Sequence, residues 1–232
     1  MRQKTARPFT LIELIAVMGV MIVLAAVAVP AYSSLFAGRK TTLAANQLNG
    51  AVMEARAHAV SAKVYTALVF AKEKSSDKGY KSFRMAEVYS DFDSDSGVDE
   101  TGSDYEWRRW VPGTGAVLLP ENTMIPDTDD DFGPTAKDGN TGSSGAKQVD
   151  NVPNKDLPGG SSSDTGTQTL KAIVFKPNGQ LAGMKNRNMV VRFVEANRYE
   201  ASADKTPKLP LNINWLTCKT KFLDPVAPED NE

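Results

Sequence analysis

Apolar and polar positions divide the chain into an apolar run, an amphipathic helix and a series of strand-like segments. From Phe9 to Tyr32 it reads FTLIELIAVMGVMIVLAAVAVPAY, with neither a charge nor a strong polar group between Leu14 and Val29. Leu, Ile, Met and Ala are good helix formers, and Gly19 is the one weak link before Pro30. The run matches the ~20 residues that cross a bilayer as a helix, so residues 9–32 are expected to form the transmembrane half of a stem helix. Beyond Pro30, Leu35, Phe36, Leu43, Leu48, Val52, Ala55 and Ala59 recur near helical spacing with Arg39, Lys40, Asn46, Gln47, Glu54 and Arg56 between them. This predicts an amphipathic half over 33–62, with Pro30 kinking one long helix without ending it.

At Lys63 the period changes. KVYTALVFAKE and KSFRMAEVYS, separated by an SSDKG turn, read as a hairpin of antiparallel strands. An acidic, turn-rich stretch follows, and then Trp107-Arg108-Arg109-Trp110 and Val117-Leu118-Leu119-Pro120 return as short strand pieces. Residues 126–169 are dominated by Gly, Ser, Asp, Thr and Pro, which bury too little apolar surface to offset ordering entropy, and are expected to be a long loop or flexible insertion. LKAIVFKPNGQLAG predicts a strand, a Pro-Asn-Gly turn and a returning segment. NMVVRFVEA is another strand, RYEASAD the next strand or a hairpin arm, and LNINWLTCKTKF the last. The expected fold class is α+β: a long N-terminal helix, transmembrane and then amphipathic, packed on a small antiparallel β-sheet head over 63–223, with a disordered tail over 224–232.

Glu13 is the one carboxylate in the apolar run. A charge deep in hydrocarbon costs roughly 2.5–3.5 kcal/mol on insertion scales, so such a group either sits near the headgroups or faces a partner. The order of signals is a basic leader (MRQKTARP, residues 1–8), Phe9-Thr10-Leu11-Ile12-Glu13, the apolar run and then Pro30. It resembles the amino-terminal signature of type IV pilins and type II secretion pseudopilins.

The resemblance implies that a membrane prepilin peptidase cuts between Pro8 and Phe9, that the new amino group of Phe9 is methylated, and that Glu13 is the assembly carboxylate that neutralises a neighbour's amino terminus. It departs from the family at Pro8, where Gly is usual; proline fixes its own φ and lacks an N–H. Ala55, Arg56 and Ala59 on the helix, Trp110 with Leu119-Pro120, and Ile173-Val174-Phe175-Lys176-Pro177-Asn178-Gly179 are similar to the head of minor pseudopilins of the GspH/FimT type. The implied function is a minor pseudopilin, a non-enzymatic structural subunit of a type II secretion pseudopilus or related filament. The implied place is the inner membrane, single-pass, with the head in the periplasm. Other pilin or pseudopilin subunits, the peptidase and membrane lipid are the implied partners. Three other readings fit parts of the sequence. Ala26-Val27-Ala28 fits a secretory signal cut after Ala28; an uncleaved anchor fits the run as well; and a membrane-tethered head that binds DNA or a secreted substrate is the alternative function.

Composition narrows the chemistry. The 232 residues carry a net charge of −1, so no global field steers the chain to nucleic acid or acidic lipid. Arg2, Lys4 and Arg7 favour a cytoplasmic leader. The only histidine, His58, falls on the predicted helix, and the only cysteine is Cys218, so neither a His-based triad nor a His/Cys zinc site can be assembled. No Gly-rich phosphate loop follows a strand. No enzyme activity, cofactor or metal is expected. Two acidic clusters read either as calcium loops or as solvated acid: Asp91, Asp93, Asp95, Asp99 and Glu100, then Asp127, Asp129, Asp130 and Asp131. Arg108 and Arg109 between two tryptophans, with Lys205, Lys208, Lys219 and Lys221, offer nucleic-acid contacts, against a core role for Trp107 and Trp110.

Overall fold

A computed structural model describes residues 11–72, 78–90, 105–128, 132–134, 147–158, 165–183, 187–201 and 206–223. The chain divides into two compact units, Met1–Arg39 and Lys40–Glu232. The first long element is helix α1, Leu11–Ala62, which contains Pro30. Among the described residues no helix is long and apolar enough to cross a membrane. The expected span over 9–32 begins before Leu11 and runs into residues 27–38, whose side chains lie outside the described set.

The second unit is mostly sheet. Strands β1 (Tyr65–Ala71), β2 (Gly79–Tyr80), β3 (Ser82–Ser90), β4 (Tyr105–Trp110), β5 (Val117–Leu118) and β6 (Thr123–Pro126) come first. They are followed by β7 (Phe132–Pro134), β8 (Lys147–Pro153), β9 (Thr167–Phe175), β10 (Met189–Glu195), β11 (Leu209–Ile213) and β12 (Thr220–Phe222). Two six-stranded sheets result, one in the order β1-β9-β8-β4-β3-β5 and the other β12-β11-β10-β6-β2 with β7 paired to β10. Because β1 also pairs with β3, the first sheet closes on itself: β1, β9, β8, β4 and β3 form a five-stranded barrel. The ring is antiparallel except at β4–β8, which is parallel, with Tyr105 opposite Val149 and Glu106 opposite Asp150.

The expected fold class is therefore corrected. A closed barrel and a second six-stranded sheet replace the small antiparallel sheet carried by a stem. The parallel pair is contributed by β8, which lies in the 126–169 stretch expected to be a loop; β7 comes from it too. RYEASAD was expected as a strand or hairpin arm, but Ala196–Ala201 forms a short helix, α2. Its start is supported from outside: the Asn122 Oδ1 accepts a bond from the Asn197 N–H at 2.9 Å, and the Asn122 carbonyl one from the Ala196 N–H at 3.0 Å. The first N–H groups of a helix have no partner within it, so an outside acceptor favours initiation there.

Alternation along the strands sorts two cores. In β1 the small side chains of Ala67, Val69 and Ala71 join the barrel interior with Ala86, Val88, Val149, Ala172 and Val174, as the narrow lumen of five strands requires. The opposite face of the same strands, Leu68, Phe70, Phe83, Met85, Ile173 and Phe175, packs with Val191, Phe193 and Leu211 of the second sheet. Ala44, Ala45, Leu48, Val52, Ala55 and Ala59 of α1 are buried in this core, where alanines let backbones approach closely. The Pro-Asn-Gly turn forms as expected after β9, with the Gly179 N–H bonded to the Lys176 carbonyl at 2.8 Å. Gly179 adopts φ +80°, and a Cβ there would meet Val60 and Arg56 of α1 at 3.0–3.1 Å, so position and conformation both require glycine.

Candidate assembly surface

Glu13 stands in the first turn of α1, where a carboxylate interacts favourably with the exposed N–H groups of the helix start. Around it Leu11, Ile12, Leu14, Ile15, Met18 and Ile22 are all exposed. So much apolar surface on one element calls for a cover that this chain does not itself provide among its described residues. Pro8 and Phe9, the expected cut site and methylated residue, lie outside the described residues.

At the other end of α1 the structure assembles a charged cluster of residues that the sequence reading had left apart. Glu87 on β3 is buried, its side chain 2% exposed, and lies directly opposite Arg109 of β4. Arg109 Nε and Nη2 donate to the two carboxylate oxygens at 2.8 and 2.9 Å, a bidentate fork. Arg108 reaches Oε2 at 3.5 Å and lies over the Tyr89 ring at 5.2 Å, and His58 Nε2 stands 3.3 Å from Oε1. A bulge between Glu87 and Val88 breaks the strict pairing of β3 with β4. The Arg109 fork lowers the Glu87 pKa; burial works against this, and His58 and Arg108 add to the lowering. The same pair raises the pKa of Arg109. His58 thus tethers α1 to the barrel, and Arg109 is committed to a carboxylate. A signal for Glu87 was present in the sequence: it falls on the same side of the alternation as Phe83 and Met85, an apolar position.

The tryptophans take the core role. Trp107 and Trp110 pack against the barrel interior with ring centroids 5.9 Å apart. Trp110 Nε1 donates to Asp156 at 3.1 Å, with Arg84 over its ring at 4.4 Å. Lys205 lies outside the described residues, and Lys219 and Lys221 lie at β12, away in sequence and sheet from β4. No group of three or more His, Cys, Asp or Glu residues able to hold a metal exists among the described residues. Of the acidic clusters, 91–100 and 129–131 lie outside them.

Asp127 has another role. It accepts from Lys72 at 2.8 Å, Lys171 at 3.0 Å and the Tyr80 hydroxyl at 2.6 Å, which joins β1 and β9 of the barrel to β2 and β6 of the second sheet. Burial opposes its charge, but Lys72, Tyr80 and Lys171 together bring its pKa down to about 2, well below the usual carboxylate range. The folded state therefore binds this proton less readily than the unfolded chain. The stability it contributes, up to about 2 kcal/mol, is present above the unfolded pKa and is lost as pH falls through the folded one. Unfolding midpoints measured from pH 5 to pH 2 should drop more steeply for the native chain than for Asp127→Asn; parallel curves would exclude this clamp. Cys218 is buried with its Sγ 3.2 Å from the Gly179 carbonyl, and burial, partly offset by Arg56, raises its thiol pKa to about 11. A thiol so held is not a nucleophile at neutral pH.

No protein-family model matches the chain, and no curated protein matches it. Among solved structures it is similar to the minor pseudopilin EpsH from the type 2 secretion system of Vibrio cholerae, at 11% identity and a TM-score of 0.40, over 83% of this chain and 99% of that one. At this level of similarity the functional reading rests on the chain's own residues.

Proposed function

We propose that the chain is a pilin-like subunit, a minor pseudopilin of a type II secretion pseudopilus or related filament. In this reading it is made as a precursor in the inner membrane, held there by the amino-terminal part of α1, and assembled through that helix with its head in the periplasm. The observation that carries the reading is Glu13: a lone carboxylate in the first turn of a long helix, five positions into the Phe9-Thr10-Leu11-Ile12-Glu13 signature and surrounded by exposed apolar side chains. Lipid solvates such side chains about as well as a neighbouring helix does, so apolar packing alone selects no register. A carboxylate paired with the amino terminus of a neighbour would select one, because an unpaired charge in that setting is costly. The action is mechanical: side-by-side helices carry the heads, and no bond is made or broken by this chain.

Two measurements test it. Intact mass and amino-terminal sequencing of the protein from its host membranes should give a chain that begins at methylated Phe9. A start at Val29 would remove the helix on which assembly depends, and an intact Met1 would leave a static anchor. Separately, Glu13→Ala should insert into membrane as the parent does but enter filaments far less, read by crosslinking of sheared filaments. Equal incorporation would overturn the role given to Glu13.

A further inference from the structure

The sequence holds two Asn-Gly pairs, Asn49-Gly50 in α1 and Asn178-Gly179 in the turn after β9. Such a pair can react with itself. Glycine has no Cβ to hinder its nitrogen, which can attack Cγ of the Asn side chain and close a succinimide ring. The new bond joins the Gly nitrogen to Cγ, the Cγ–Nδ2 bond breaks, and the Gly N–H proton leaves with Nδ2 as ammonia. Water then opens the ring at either carbonyl, to aspartate or to isoaspartate, whose main chain runs through the side-chain methylene. In the closed turn both groups at Asn178 are engaged elsewhere. The Gly179 N–H donates to the Lys176 carbonyl at 2.8 Å, Asn178 Oδ1 accepts from the Gln180 N–H at 3.0 Å, and Nδ2 donates to Gln180 Oε1 at 3.2 Å. Asn178 is nevertheless exposed, and these bonds, all within the turn, break in a local opening that leaves the strands paired. Asn49 is held differently. It is half-buried, its Oδ1 accepts from the Thr220 hydroxyl at 2.6 Å, and Gly50 lies inside a long helix, where opening must break several consecutive backbone bonds.

We propose that Asn178 is a site of spontaneous deamidation, reached when the turn opens, and that isoaspartate there loosens the packing of α1 over Arg56–Val60. The Gly179 carbonyl accepts from Arg56 Nε at 3.1 Å and from Cys218 Sγ at 3.2 Å, so this one peptide ties α1 to the segment between β11 and β12. The Lys176 N–H also donates to the Gln180 carbonyl at 2.8 Å, which fixes the length of the turn. An added main-chain methylene lengthens it and moves the Gly179 carbonyl. Gly179 is buried, and Val60 and Arg56 already stand 3.0–3.1 Å from where its Cβ would be, so the α1 side has no space for the added atom. The turn must then move away from α1, and both bonds to the carbonyl are lost.

The test ages the purified full chain in detergent with reductant at mildly alkaline pH. Peptide mapping should find isoaspartate and aspartate at Asn178 forming about tenfold or more faster than at Asn49. Arg56→Ala removes one hold on the turn and should raise the rate at Asn178 by about threefold or more. The aged native chain should unfold at lower urea than the fresh one, whereas Asn178→Ser, aged alongside it, should not shift. Equal rates at the two pairs, no product at Asn178, or a rate indifferent to Arg56→Ala would each overturn the site. Isoaspartate at Asn178 with an unchanged urea midpoint would overturn the loosening of α1.

Discussion

Phe70→Ala is expected to destabilise the protein by about 3–5 kcal/mol, a large fraction of the stability of any single domain. Phe70 is fully buried on the outer face of β1, with ring centroids 4.7 Å from Phe132, 5.9 Å from Phe83 and 6.1 Å from Tyr80. Its contacts at Phe132 and Tyr80 are edge-on, the favourable arrangement for aromatic pairs. These partners come from different places: Phe83 from the barrel, Tyr80 and Phe132 from the second sheet. Alanine would remove a ring that both sheets share, and rigid strands on either side cannot collapse onto the space. Urea or thermal unfolding of the full chain checks the value, with Leu118→Ala, 62% exposed, as a control expected to lie within about 0.5 kcal/mol of the parent. A loss below about 1 kcal/mol for Phe70→Ala would mean that the two sheets do not depend on a common core.

Local pattern carried single strands but not the fold class. The hairpin of β1 and β3, the strand from Leu170 to Phe175 with its Pro-Asn-Gly turn, and β10 and β11 lie in segments read as strands, whereas β9 already begins at Thr167, inside the expected loop. Barrel closure was not legible, because it depends on β8. KQVDNVP has only Val149 and Val152 to signal a strand, and it is set in Gly, Ser and Asp; its pairing with β4 and β9 comes from tertiary context. α2 was missed for a related reason, since its supporting acceptor, Asn122, is distant in sequence. At the assembly surface, Glu13 could be found because it is the one charge in an apolar run. Glu87 and Asp127 could not be paired with their partners: which arginine or lysine faces a carboxylate follows from register and sheet order, and neither is written in local spacing.

Removing Arg109 should flatten the acid response of the Glu87 cluster. In the native chain the Glu87 pKa is lowered by the Arg109 fork, so its contribution is present above the unfolded pKa and is lost as pH falls through the folded one. Arg109→Ala would strand a carboxylate whose side chain is 2% exposed, with Arg108 at 3.5 Å and His58 at 3.3 Å as its remaining partners. These two contacts keep Glu87 partly paired, and the variant should still be less stable than the native chain at pH 7. Burial still raises the Glu87 pKa and His58 and Arg108 still lower it, so losing the fork moves the folded value up toward the unfolded one, and the variant should lose less stability than the native chain as pH falls. Glu87→Gln gives the contrasting result: it keeps an acceptor for Arg109, whose side chain is 57% exposed and can turn to water, and leaves no charge to strand. Its loss at pH 7 should be smaller, with an equally flat acid response. Chemical unfolding of the three chains between pH 7 and pH 3 decides the matter. If Arg109→Ala follows the native slope, Glu87 has reached water or another cation, and the fork does not hold the barrel at the β3 bulge.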